Sequence, residues 1–426
     1  MKYMSERMFF VSILSKAKAM ASSRSFKQTL AVSGSNIFVM GLGFVINILL
    51  AREMGVEDFG IFSFAFAVFS FVALFMEFGF YSTAAKILAD TNDSVTERKL
   101  LGGIFVTYII INTIFAIFMY VVGIYIDDFF SDKIGYIVRM MAFSGYAYTS
   151  PFFMEWVLKG CNKIYLLSQY NFAGKFIYFI IIINLWLRSN LIIENVLAAY
   201  AASYALAIVY CYFRLNPTFI GIKNTLKYIY DSNKIYGWPQ YLGRIVDVGS
   251  ANIDRLLISY FIDAKSVGLY SLAVSFVSVV SVLGKGIGIT KYKSFASSGV
   301  IDKKIRRVVY ISTFMATILV FVISYGTIYF VLGNAYYDVC IYIFITMFGA
   351  YAQGVYTMYN AWLSSHGYAK KLKWASFKMG IANLLVKPVG ICLFSVNGAS
   401  ITFSIGYMYE WYLYFNLYDT LKGRQR

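Results

Sequence analysis

Apolar stretches of about 20 residues, the length a helix needs to cross a bilayer, recur twelve times along this chain between short polar loops. They fall near 30–50, 60–82, 100–126, 134–157, 164–187 and 195–213 in the first half. In the second half they fall near 236–262, 267–289, 308–332, 335–363, 374–395 and 398–418. The runs are continuous and do not alternate, so spanning helices are predicted and a β-barrel is not. Only 14% of the 426 residues are charged, whereas a soluble domain carries about 25%. The fold class that follows is an all-α integral membrane protein.

Basic residues set its orientation. With the N-terminus cytoplasmic, the inward segments hold twenty-seven of the 38 Lys and Arg residues. The outward loops hold four, Arg52, Lys133, Arg188 and Lys265. Both termini are therefore predicted to be cytoplasmic. The predicted organisation is a basic segment over 1–29, a six-helix bundle over 30–213 and a cytoplasmic linker over 214–235. A second six-helix bundle over 236–418 and a basic tail over 419–426 complete it. The lead reads as cytosolic from either Met1 or Met20, because its apolar run Met8–Leu14 is followed by Lys16 and Lys18 and no cleavage site.

The net charge of +17 is spread over loops between spans. No compact basic domain meets a phosphate backbone, so nucleic acid is not an expected partner. The four cysteines match no metal or redox spacing, and the single His366 has no Cys or second His nearby. No cofactor is expected, and neither a catalytic triad nor a resident metal has the residues it would need. The chain reads as a non-enzyme.

The halves repeat at an offset of 208 residues. Leu49, Gly60, Ser63 and Ala65 meet identical residues there, and Gly41 meets Gly249. Six spans is an even number, so both copies enter from one side, and the predicted relation is a pseudo-twofold axis along the membrane normal.

Seven cations lie inside the spans: Arg139, Lys175, Arg244, Arg255, Lys285, Lys378 and Lys387. An ionisable group within a span is a functional candidate. Arg139, Lys285 and Lys378 are close enough to span ends to snorkel. Lys175 and Lys387 are mid-span, and each requires an acidic partner or a hydrated lumen. Span 7 carries Gln240, Arg244, Asp247, Asp254 and Arg255 within an arc of roughly 100° at 3.6 residues per turn. That polar face either lines a hydrated path or pairs with neighbours to hold the halves together. Asp247, Asp254 and Glu410 are the candidates for charge balance or ion coupling. An excess of embedded cations, to which Arg52 adds, favours an anionic cargo, phosphate above all. Tyr356, with Gln353 and Asn360 nearby, offers candidate sugar contacts.

The segment SNIFVMGLGFVINILLAREMGVEDFGIFSFA, with Arg52, Gly55, Glu57 and Phe59-Gly60, resembles the first two spans of O-antigen flippases of the Wzx type. These are polysaccharide exporters of the multidrug/oligosaccharidyl-lipid/polysaccharide superfamily. DRLLISYFIDAKSVGLYSLA continues the likeness, as do Asn383 and Asn397-Gly398-Ala399 near the end, so that it covers roughly 28–418. The resemblance implies a V-shaped pair of bundles in a bacterial inner membrane. The implied activity is movement of undecaprenyl-pyrophosphate-linked oligosaccharide between leaflets by alternating access, with H+ or Na+ as coupling ion. The implied partners are the lipid-linked substrate, the bilayer, and the polymerase and chain-length proteins of the pathway. On this reading Lys175, Arg244, Arg255, Lys387 and Arg52 hold the head group. Rival readings are an exporter of capsule or teichoic acid precursors, a drug/cation antiporter, and a membrane glycan polymerase. The last typically carries a sizeable outside loop, absent here, and an antiporter's lumen should be net acidic.

Overall fold

The computed structural model describes residues 24–91, 93–129, 134–296 and 298–422. The segment predicted as a basic lead lies mostly outside these. Among the described residues every regular element is helical, and the helices make twelve crossings. Two 53-residue helices, Arg24–Met76 and Ala369–Leu421, each hold two crossings folded about one non-helical residue. In the first that residue is Gly55, at φ 79° and ψ 173°, a conformation open to glycine because it has no Cβ. In the second it is Ser395. The chain is a multi-pass membrane protein.

Some spans are less regular than their sequences suggest. Span 2 breaks at Phe78 and Gly79, both at positive φ, before resuming as Phe80–Ala89. Span 4 breaks at Ser144 between Gly135–Phe143 and Gly145–Gly160. Span 8 is built of Ala264–Ser278 and Val280–Ala296. Hydropathy does not register such breaks, since the apolar run continues through each.

The distribution of the core gives the molecule its shape. One cluster joins both halves: Ile46, Phe59 and Phe64 pack with Val267, Tyr270 and Phe276. It lies toward the turns at Gly55, Asp263, Gly333 and Ser395, here termed the Gly55 end. A second cluster, including Leu101, Phe153 and Tyr170, belongs to the first half alone. A third, including Val309, Tyr359 and Tyr418, belongs to the second half alone. These two lie toward the linker end. The halves therefore share one core at the Gly55 end and have separate cores at the other, as in a V.

Glycines seal the shared end. A Cβ on Gly60 would stand 2.2 Å from the Ala264 carbonyl oxygen, and one on Gly268 would stand 2.8 Å from the Cα of Gly60. Gly60 and Gly268 are the partners that the 208-residue offset pairs. Equivalent positions touch each other only near the axis relating two copies, so the pseudo-twofold passes between these glycines.

Candidate functional site

Where the separate cores meet the shared one, spans 1 and 8 form a seam, the apex between the halves. Phe44 meets Phe276 edge to face with ring centroids 4.9 Å apart. One turn further on, the Asn47 side-chain amide donates to Ser275 Oγ at 3.2 Å. Toward the linker end each span has free space beside it: a Cβ on Gly41 of span 1, or on Gly286 of span 8, would meet nothing within 4 Å. The seam is therefore packed at the Phe44–Phe276 contact and flanked by free space toward the linker end.

Lys175 sits beside this apex. It projects from span 5, Ile164–Leu187, against Gly43 of span 1, where an added Cβ would stand 3.2 Å from Lys175 Cε. Its ammonium lies 5.3 Å from the centroid of the Tyr178 ring. Such a cation–π contact stabilises a charge without neutralising it. Among the described residues no carboxylate is within ion-pair distance of Lys175. Gly43 leaves the room a long side chain needs to lie along span 1.

Lys387 behaves differently. Its ammonium forms an ion pair with Asp254, joining span 11 to span 7, and the two side chains are 5% and 6% exposed. The second carboxylate oxygen of Asp254 accepts from the Tyr270 hydroxyl at 2.7 Å, bringing in span 8. The sequence allowed Lys387 either an acidic partner or a hydrated lumen, and the structure gives it the partner. Asp254 is correspondingly engaged inside the second half. Arg255, next along span 7, points elsewhere and donates from Nε to Ser271 Oγ at 3.0 Å. Gln240, Arg244 and Asp247 belong to helix Trp238–Phe261, but their side chains lie outside the described residues.

The remaining candidates are dispersed. Arg52 is at the far end, its side chain 56% exposed and 3.7 Å from Glu53, and so is separated from the apex by the shared core. Tyr356, half-buried on span 10, is nearly parallel to Tyr407 of span 12 at 6.3 Å between centroids. Gln353 is half-buried one turn earlier, and Asn360 Oδ1 accepts from Ser364 Oγ at 3.1 Å. Glu410 is half-buried on span 12. Of the cations expected to snorkel, Lys285 and Lys378 are exposed, and Arg139 donates to the Gly123 carbonyl at 3.2 Å. The cysteines are free thiols. Burial, reinforced by the nearby Glu97 carboxylate, pushes the Cys161 thiol up to about 12, which suits a filler and not a nucleophile.

Sequence reasoning missed a clasp at the linker end. Asn233 Nδ2 donates to the Phe78 carbonyl at 3.0 Å, and its Oδ1 accepts from Thr83 Oγ1 at 2.8 Å. The Tyr241 hydroxyl donates to the Phe75 carbonyl. A Cβ on Gly79 would stand 2.4 Å from the Gly237 carbonyl group, so the two backbones touch. The start of span 7 is thereby fastened to the break in span 2. The sequence signal was the pair Gly79 and Gly237, legible only once their partners are known.

The family model described as "Polysaccharide biosynthesis protein" matches residues 25–290. No curated protein compared with the chain matches it significantly. Among solved structures, one described as lipid II flippase MurJ in an inward closed conformation is similar, with a TM-score of 0.71 and 14% identity. That match covers 91% of this chain and 87% of that one. A multidrug resistance MATE family transporter of the MOP superfamily, inward-facing, is similar with a TM-score of 0.67 and 11% identity, covering 95% and 100% of the two chains. The MATE multidrug transporter DinF-BH gives 0.66 and 13%, covering 92% and 94%. At such identities the likeness establishes the fold: two six-helix bundles related by a pseudo-twofold axis.

Proposed function

Because this chain belongs to the polysaccharide biosynthesis protein family, we propose that it is a flippase for undecaprenyl-pyrophosphate-linked oligosaccharide, an O-antigen unit or similar. It carries this cargo from the cytoplasmic to the periplasmic leaflet of a bacterial inner membrane by alternating access, with both termini cytoplasmic. The observation that carries the reading is Lys175 beside the apex, with free space flanking spans 1 and 8 toward the linker end. A lipid-linked substrate has a head that needs cations and a tail that needs lipid. The free space beside spans 1 and 8 lets the tail remain in the bilayer while the head reaches Lys175. A guanidinium or ammonium binds pyrophosphate through charge-assisted hydrogen bonds, and Lys175, with no carboxylate within ion-pair distance among the described residues, is available for one.

Arg244 and Arg255 of span 7 are the further head-group ligands on this reading. Gln240, Gln353, Asn360 and Tyr356 are its sugar contacts. Asp247 and Glu410 are the carboxylates for a coupling proton or sodium ion, since Asp254 is held by Lys387. Arg52 receives the head group when the Gly55 end opens.

Replacing Lys175 with Gln tests this. A hydrogen bond to a charged group contributes about 1.5–3 kcal/mol, so flipping of the pyrophosphate-linked substrate in proteoliposomes should fall by roughly 10- to 150-fold. Protein level and melting temperature should hold. Wild-type flipping by Lys175→Gln would overturn the head-group assignment. Export of a lipophilic cation in place of the glycan would move the protein to the antiporter class.

A further inference from the structure

The linker between the halves has a surface that the transport path does not use. Helix Ile222–Ser232 packs one stripe inward: Ile229 and Ser232 are buried, and Gly103 of span 3 would drive a Cβ to 2.6 Å from the Thr225 methyl and 2.8 Å from Ile229. The opposite stripe is Lys223, Lys227 and Tyr230, at i, i+4 and i+7, continued by Lys234. Lys234 Nζ stands 4.4 Å from the Tyr230 ring centroid, so it shares that face. All four side chains are exposed, and Asp231 is the one acid on the helix. Large apolar side chains flank the stripe: Ile220 is 73% exposed, Ile235 67% and Trp238 46%.

This combination is unusual for a cytosolic surface and ordinary at a membrane face. Basic residues with apolar and aromatic neighbours on an amphipathic helix bury the latter at the acyl boundary and hold anionic head groups with the former. The helix is attached where the bilayer surface must be, because Gly103 and Arg98 belong to the end of span 3. The Thr218 amide donates to the Arg98 carbonyl at 2.9 Å, and Arg98 Nε donates to the Asn216 carbonyl at 2.8 Å. We propose that Lys223, Lys227 and Lys234, with Tyr230, form a binding surface for anionic phospholipid head groups of the adjacent leaflet, which seats the linker on the membrane. Asn233 follows the helix directly, so a seated linker also holds the clasp to span 2.

Trp238 provides the readout. The full-length protein is reconstituted with phosphatidylcholine or phosphatidylglycerol brominated on the acyl chains, each diluted in unlabelled phosphatidylcholine. Quenching attributable to Trp238 is obtained by difference from Trp238→Phe. Stronger quenching by the brominated phosphatidylglycerol is expected. In the triple variant Lys223→Gln, Lys227→Gln, Lys234→Gln, the preference should fall on the order of 100-fold, since each basic residue near an anionic surface contributes about a factor of five. Neutralising Lys303, Lys304 and Arg307, exposed basic residues in the first two turns of helix Lys303–Thr327, should leave it intact. Equal quenching by both lipids in the wild type would overturn the proposal. So would an unchanged preference in the linker variant, or a preference abolished by millimolar inorganic phosphate, which would mark a free-anion site.

Discussion

Lys387→Ala is expected to destabilise the protein by about 3–5 kcal/mol, because it leaves the buried Asp254 carboxylate without its counter-charge. The pair joins span 7 to span 11, with Tyr270 of span 8 as third member. The Tyr270 hydroxyl supplies one hydrogen bond, which does not offset the desolvation of a full negative charge. Thermal unfolding in detergent measures the loss. The informative control is the double variant Asp254→Asn, Lys387→Met. Removing both charges from a buried pair is often close to neutral, so this protein should regain most of the melting temperature. A single variant as stable as wild type would mean that water reaches Asp254. If the double variant recovers stability but not flipping, the pair acts in transport as well as in folding.

Gly60→Val is expected to have the largest effect on transport for the least chemistry. The added Cβ would meet the Ala264 carbonyl at 2.2 Å and the Lys265 Cα at 2.9 Å. Both are backbone atoms, which cannot rotate away as a side-chain end can. Overpacking of this kind costs about 1–3 kcal/mol, and here the strain falls on one conformation, that in which the Gly55 end is shut. The balance between open and shut should shift by roughly 5- to 150-fold. Flipping should fall accordingly while each half keeps its own core. Val56, 9% exposed beside this contact, reports the change. In a background lacking the native cysteines, Val56→Cys should react slowly with an impermeant maleimide and faster once Gly60 is replaced. Unchanged reactivity and unchanged flipping would show that the shut state has slack at the axis.

Much of this architecture was legible in the sequence because membrane spans write themselves in hydropathy. The turns at Gly55 and Asp263 fall in predicted loops, the turn at Ser395 falls on the last residue of the span predicted over 374–395, and Gly60 was already paired with Gly268 by the repeat. The charged residues were harder to place. Lys175 and Lys387 look alike in sequence, each a lone cation amid apolar neighbours. One is left with an aromatic face and the other is matched to a carboxylate 133 positions earlier. Only the three-dimensional packing of spans 7, 8 and 11 separates them. The breaks at Phe78 and Ser144 and the clasp at Asn233 were hidden for the same reason: they are set by neighbours and not by local composition.

The contact of Gly60 with Gly268 bears on ancestry. In a symmetric dimer, a residue on the axis meets its own copy, and the surface around it must be self-complementary. A single six-span chain inserted in one orientation could make that contact by dimerising, with no second gene product facing the other way. The linker over 214–235 would then be a tether added to an association that already worked. Residues 1–221 and 222–426, produced as separate chains, are then expected to associate in the bilayer, which co-purification of the two halves would check.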